Sequence, residues 1–184
     1  MKKLLLITGD IAAGKSTFSR KLSAAYGIAA FQKDAVKEVL SDRIGFRDRQ
    51  ENKALSYAAV DMMCHIFSQI APTGGDLILE ANFHAYELDA LHSIAAKSQY
   101  GVLTVILRGD ADVLYQRYLH RMNHENRHPT HLAATLDRKE DFVNAADFLR
   151  SEPVAGNTLT VDATDFSYQD DPAVLAQIGA FLKG

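Results

Sequence analysis

Leu4-Leu5-Leu6-Ile7-Thr8-Gly9-Asp10-Ile11-Ala12-Ala13-Gly14-Lys15-Ser16-Thr17 places an apolar run directly before Gly-x-x-x-x-Gly-Lys-Ser. The apolar half reads as a buried strand, and "KSTFSRKLSAAYG" after it has the spacing of a helix. Strand, glycine-bearing turn and helix are the context in which this motif forms a phosphate cradle. Glycine tolerates positive φ and lets backbone approach an anion closely, so successive N–H groups of Ile11, Ala12, Ala13 and Gly14 can converge on phosphate oxygens. The helix beginning near Lys15 adds its positive end. Lys15 supplies a cation for the β- and γ-phosphates, the Ser16 hydroxyl a ligand for Mg²⁺, and Gly9 and Thr17 complete the loop.

Outward from the loop, the 184 residues predict a single domain covering 1–184, with 47% hydrophobic and 23% charged residues as in ordinary globular chains. A net charge of -3 argues against general attraction to nucleic acid or to an anionic membrane. Cys64 stands alone and cannot form an internal disulfide, which fits a reducing, cytoplasmic setting. The opening "MKKLLLITGD" imitates a signal peptide, but its apolar run stops short of the ~7–15 residues such a signal needs. No segment approaches the ~18 uninterrupted apolar residues of a membrane span.

Short apolar runs alternate with helical patterns along the chain. "KLLLI", "IAAF", "LILEA", "VLTVIL" and "TLTVD" read as strands, and their unbroken apolarity suits cover on both faces. Ala54, Leu55, Ala58, Ala59, Met62, Met63, Ile66 and Phe67 recur at helical spacing until Pro72 and Gly74-Gly75 end the helix. Val174, Leu175, Ile178, Phe181 and Leu182 repeat the pattern after Pro172. The alternation predicts an α/β fold in three layers: a parallel sheet with helices on both faces. Met122 to Thr135, "MNHENRHPTHLAAT", is polar, histidine-rich and broken by Pro129, and reads as a mobile lid over the site with little to bury.

What is done with a triphosphate depends on residues outside the loop. A GTPase needs Asn-Lys-x-Asp, whereas "ENKAL" has Leu55 in the aspartate's place, and "DRIG" (Asp42 to Gly45) follows a helical stretch instead of a strand. A motor-type ATPase needs an acidic pair closing a strand, where "LILEAN" offers Glu80 alone. A kinase needs a carboxylate at the acceptor, and Asp34 directly follows the second strand, where parallel sheets place ligands. Capping of the following helix is the competing role for Asp34. Asn82, Phe83 and His84 follow the third strand at the same edge, either lining an acceptor pocket or serving as cap and packing. Asp10 is expected to face away from the phosphates, touching the acceptor or, as the favoured reading, solvated. Arg117 and Arg121, four residues apart, read as a solvated helix face. His120, His124, His128 and His131 cluster without a cysteine or paired carboxylates to complete a zinc set, so they read as tuning acceptor binding near neutral pH.

Taken in order, "GDIAAGKST", "QKDAVKEVL", "LILEANF", "RMNHENRHPTH" and "TLTVDAT" resemble the P-loop kinases grouped with zeta toxin, chloramphenicol phosphotransferase and polynucleotide kinase. The resemblance implies an adenylate-kinase-like core with strand order 2-3-1-4-5. It also implies transfer of the γ-phosphate of ATP, with Mg²⁺, to a hydroxyl activated by Asp34. Ser16 would bind the metal, with Asp34 and Glu80 as further oxygen donors; Glu80 stands where such kinases often carry an aspartate. Arg121 would stack on adenine, Arg127 would reach the phosphates, and Arg117 is the weaker candidate. "DATDF" resembles the segment that packs on adenine. The acceptor implied is a small molecule such as a sugar, nucleoside or antibiotic, engaging Asp34, Asn82 and His84. The alternatives are a polynucleotide 5′-hydroxyl kinase and a regulatory ATPase without an acceptor.

Overall fold

The computed structural model describes residues 1–132 and 136–184, so positions 133–135 of the expected lid lie outside the described residues. Five strands form one all-parallel sheet in the order β2-β3-β1-β4-β5: β1 (Lys3–Gly9), β2 (Ala29–Gln32), β3 (Leu77–Glu80), β4 (Gly101–Arg108) and β5 (Thr158–Asp162). This is the expected strand order. The helices are α1 (Lys15–Tyr26), α2 (Lys33–Ile44), α3 (Arg49–Thr73), α4 (Ala85–Lys97), α5 (Ala111–His124), α6 (Pro129–Leu132), α7 (Lys139–Ser151) and α8 (Pro172–Lys183).

β1 is central because every side chain from Lys3 to Thr8 is buried. Side chains alternate across a strand, so its run of apolar residues feeds two cores. Leu5 and Ile7 pack with Phe18 and Leu22 of α1 and Ile178 of α8. Leu4 and Leu6 pack with Met63 and Phe67 of α3 and Leu88 and Leu91 of α4. Truncating one of these leucines to alanine removes about 2–5 kcal/mol, the transfer term plus a cavity that neighbours cannot close. The expectation of two-sided cover fails at the sheet's margins. β2 has no fully buried residue, and only Val161 of β5 is buried. Both are edge strands, with a neighbour on one side only.

Helix ends follow local chemistry. Asp48 accepts from Glu51 N at 2.9 Å to start the 25-residue α3, whose last turn holds Pro72 and whose cap is Gly74 in the left-handed region. Asp171 caps α8, with Pro172 in the first turn. Among the described residues, no helix is long and apolar enough to cross a membrane.

Register aligns the strand ends that matter. Ile7 of β1 lies level with Glu80 of β3, and Glu80 with Gln32 of β2. The residues just beyond them, from Gly9, Asn82 and Asp34, therefore emerge at one edge of the sheet. The chain leaves β1 for β2 on one side and, after β3, crosses to β4 on the other, so this edge is also where the strand order reverses.

Candidate active site

The loop between β1 and α1 is shaped by two glycines that no other residue can replace without displacement. Gly9 has φ 124°, and a Cβ there would sit 2.0 Å from the carbonyl oxygen of Leu107 on β4. Gly14 has φ 88°, and its Cβ would fall 2.9 Å from both Phe166 Cε1 and Tyr168 Oη. Ala12 adopts φ 62° without being glycine, a conformation that crowds its Cβ. The Tyr168 hydroxyl donates to the Ala13 carbonyl at 2.8 Å, and its ring meets Phe18 edge-on. The stretch after β5, 163–169, thus clamps the phosphate loop from outside.

Lys15 is buried, and its ammonium donates to the carbonyls of Gly9 (3.1 Å) and Asp10 (2.7 Å). Burial pulls its pKa down to about 8, against the opposing pull of Glu80 and Asp34. The Ser16 hydroxyl donates to Glu80 Oε2 at 2.8 Å. Burial raises the Glu80 pKa, with Lys15 and Ser16 working against it. Asn82 Nδ2 donates to the Gly9 carbonyl at 2.8 Å, binding the end of β3 to the loop. Asp34 occupies the first turn of α2, its carboxylate 3.4 Å from Lys33 Nζ. Burial pushes its pKa up, but Lys33, His131 and Lys15 together outweigh burial and hold it below the ordinary carboxylate value.

These groups face one cleft of about 910 Å³ lined by residues 11–17, Asp34, Glu80, Asn82, Arg117, Arg121 and Arg127 among others. The expected ATP residues, the expected acceptor carboxylate and the lid arginines are therefore brought together. His84 does not join them: its backbone N–H donates to Glu87 at 2.8 Å at the start of α4, and its Nδ1 lies 3.0 Å from Glu152. Phe83 is core, its N–H bound to Thr8 Oγ1. For these two residues the cap-and-packing alternative describes what is seen.

Asp10 is not solvated. It is 1% exposed, accepts two bonds from Arg150 of α7 (3.1 and 2.5 Å) and a third from Gly109 N (3.0 Å). Arg150 also donates to the Gly109 carbonyl at 2.7 Å. No motif near position 150 signals this role; the pair is separated by 140 positions.

Arg117 is not part of a solvated face either. Its guanidinium donates to the carbonyls of Ala163 and Thr164 and stacks on Phe166 at 4.1 Å from the ring centroid. The i,i+4 spacing with Arg121 was the sequence signal for a helix face and carried no sign of this packing. Arg121 pairs instead with Glu125 at 3.4 Å.

Residues 128–131 of the lid are docked, contrary to the reading that it had little to bury. Thr130, 1% exposed, donates through its hydroxyl to Asn52 Oδ1 at 2.6 Å, while its carbonyl accepts from Asn52 Nδ2 at 3.0 Å and Lys37 Nζ at 3.5 Å. His128 Nε2 meets Asp42 at 2.9 Å, and His131 Nε2 meets Glu38 at 2.7 Å. His128 and His131 thus pair with carboxylates of α2, whereas His124 turns to the His120 carbonyl at 3.0 Å and stacks on the His120 ring. Among the described residues no group of three or more His, Cys, Asp or Glu is arranged to hold a metal ion.

Mg²⁺ needs no such cage, since it binds through one or two protein oxygens together with phosphates and water. The Ser16–Glu80 pair fits that demand: the hydroxyl donates its hydrogen bond to Glu80 and keeps its oxygen lone pairs for a cation beside the phosphate loop.

A protein-family model described as "AAA domain" matches residues 5–141. No functionally curated protein matches the chain. Among solved structures, a provisionally assigned kinase from Chloroflexus aurantiacus is 28% identical, with 98% of each chain covered and a TM-score of 0.83. Kti12 from Chaetomium thermophilum, solved with ADP-AlF3, is 16% identical, covering 98% of this chain and all of the other, at TM-score 0.69. A gluconokinase from Sinorhizobium meliloti is 14% identical, covering 98% of this chain and 94% of the other, at TM-score 0.63. The last two likenesses speak to the fold alone.

Proposed function

This chain belongs to the AAA domain family, and from that premise we propose that it is an ATP-dependent kinase that phosphorylates a hydroxyl of a small molecule. The observation that carries the reading is the placement of Asp34, ionised and in the first turn of α2 just past β2, in the same cleft as Lys15 and the Ser16–Glu80 pair. A pure nucleotide switch has no use for a carboxylate there. A hydroxyl acceptor does.

In this reading residues 9–17 cradle the triphosphate, and Lys15 turns from the Gly9 and Asp10 carbonyls to the β- and γ-phosphates. Arg117 on Phe166 marks the nucleoside end, so Arg117 takes the adenine-side role first assigned to Arg121. Arg121 then lies on the way to the phosphates, and Arg127 of the lid reaches the γ-phosphate. Asp34 accepts a hydrogen bond from the acceptor hydroxyl and aims its oxygen at the γ-phosphorus. The new O–P bond forms as the bond to the β–γ bridging oxygen breaks, ADP leaves, and the hydroxyl proton passes to Asp34. A lowered pKa makes Asp34 a weak base but keeps it ionised, which suits orientation of the nucleophile. Lys15 and Arg127 balance charge spreading over the equatorial oxygens. Mg²⁺, held by Ser16 and Glu80, would neutralise phosphate charge when bound.

The test is ATP consumption with and without a pool of hydroxyl compounds, in the wild type and in Asp34→Asn. Acceptor-dependent turnover is expected, and the variant should lose about 10²–10⁴ in kcat while binding ATP as before. Turnover indifferent to every acceptor refutes the kinase, and wild-type rates in Asp34→Asn refute the base.

A further inference from the structure

The sheet order divides the cleft into two chemically different halves. The phosphate loop follows central β1, and the β4–β5 side contributes Arg117 and Tyr118 of α5 and Phe166 after β5 to the nucleotide half, while its lid residue His131 crosses over to Glu38 of α2. The β2–β3 side contributes Gln32, Asp34 and Glu38 around α2, and Asn82 after β3, to the other half, with Glu80 at the boundary beside Ser16. Among the described residues, the phenyl and phenol rings that reach the cleft, Tyr118 and Phe166, both lie on the nucleotide half. The acceptor half offers amides, carboxylates and the imidazole of His131, with Ala35 as its apolar contact.

A nucleobase binds by stacking on aromatic rings, and among the described residues this half presents no phenyl or phenol ring, only the imidazole of His131, whose Nε2 is engaged by Glu38. It has convergent hydrogen-bonding groups instead. Glu38 lies one helical turn after Asp34 on the same face of α2, the i,i+4 relation that sets side chains about 5–6 Å apart at Cβ. Neighbouring hydroxyls on a carbon chain or ring are spaced to bridge such a pair. Glu38 Oε1 is held by His131 Nε2 at 2.7 Å, which fixes the carboxylate from the lid side and leaves its second oxygen for a ligand.

We propose that the acceptor is a compact polyhydroxylated molecule without an aromatic ring, with one hydroxyl on Asp34 and a neighbouring one on Glu38, which His131 holds in place. This rests on the kinase reading and narrows it. Nucleosides and nucleic-acid 5′ ends are disfavoured because their bases meet no phenyl or phenol ring there. Deoxygenated polyols bind more weakly because they lose the hydrogen bond to the second oxygen of Glu38.

The experiment begins with ATP titration calorimetry on the full chain, followed by coupled ATP turnover. The acceptor panel holds pentoses, hexoses, sugar acids, cyclitols, nucleosides and a 5′-hydroxyl oligonucleotide. The expected result is turnover on a polyol with kcat/KM at least 100-fold above every nucleoside and the oligonucleotide. On that polyol, Glu38→Ala should raise the acceptor KM tenfold or more with the ATP Kd within twofold of wild type. Glu38→Gln, which keeps the shape and one acceptor oxygen, should recover part of the loss. A nucleoside or the oligonucleotide as the better substrate overturns this inference and leaves the kinase reading standing. An unchanged acceptor KM in Glu38→Ala overturns the role of Glu38. ATP binding with no acceptor of either class phosphorylated overturns the kinase reading and this inference with it.

Discussion

Removing the guanidinium of Arg150 tests how the phosphate loop is held. Asp10 is almost wholly buried and receives three hydrogen bonds, two of them from Arg150. In Arg150→Ala the carboxylate stays behind, out of water, with only Gly109 N as partner. Breaking a buried pair from one side costs about 3–5 kcal/mol because the remaining charge is uncompensated. At roughly 2–4 °C of Tm per kcal/mol for a chain of this size, the melting point should fall by about 6–20 °C. Denaturant unfolding of Arg150→Ala, Asp10→Ala and the double variant closes a cycle, with expected coupling of at least 1 kcal/mol. A single-variant loss below 1 kcal/mol, or additive losses, refutes the claim that this pair anchors the loop.

ATP affinity should fall as pH rises through the Lys15 pKa of about 8, because the phosphates bind the protonated lysine and so must import a proton above that pH. Calorimetry should find ATP binding about eightfold weaker at pH 9 than at pH 7.5, with proton uptake rising toward one; a flat profile refutes it. Ala12→Gly should raise the unfolding free energy by about 0.5–1 kcal/mol, since relief at φ 62° exceeds the added freedom of the unfolded chain. Chemical denaturation checks it, and a destabilised variant contradicts the strain. Thr130→Val removes the hydroxyl on Asn52 and leaves a buried acceptor unpaired, at a cost of about 1–3 kcal/mol. Thermal unfolding and acceptor KM should both worsen, and a variant indistinguishable from wild type shows that the lid is anchored elsewhere.

The parts of this molecule legible in sequence are those whose chemistry is contiguous. Gly9, Gly14, Lys15 and Ser16 act through backbone and side chains of one short loop, so their spacing alone declares a phosphate cradle. The apolar runs declare strands, and the pauses between them declare crossovers, because both depend on neighbours a few positions away. The resemblance carried the strand order, and register then delivered Asp34 and Glu80 to the cleft from the ends of adjacent strands. Asp10 finding Arg150, Thr130 finding Asn52 and Arg117 finding Phe166 belong to tertiary structure. So does the turning of His84 toward Glu152. Polar side chains carry no periodic signal of their partners. Burial obliges each to find one, but which one is decided only when the sheet stacks distant segments side by side.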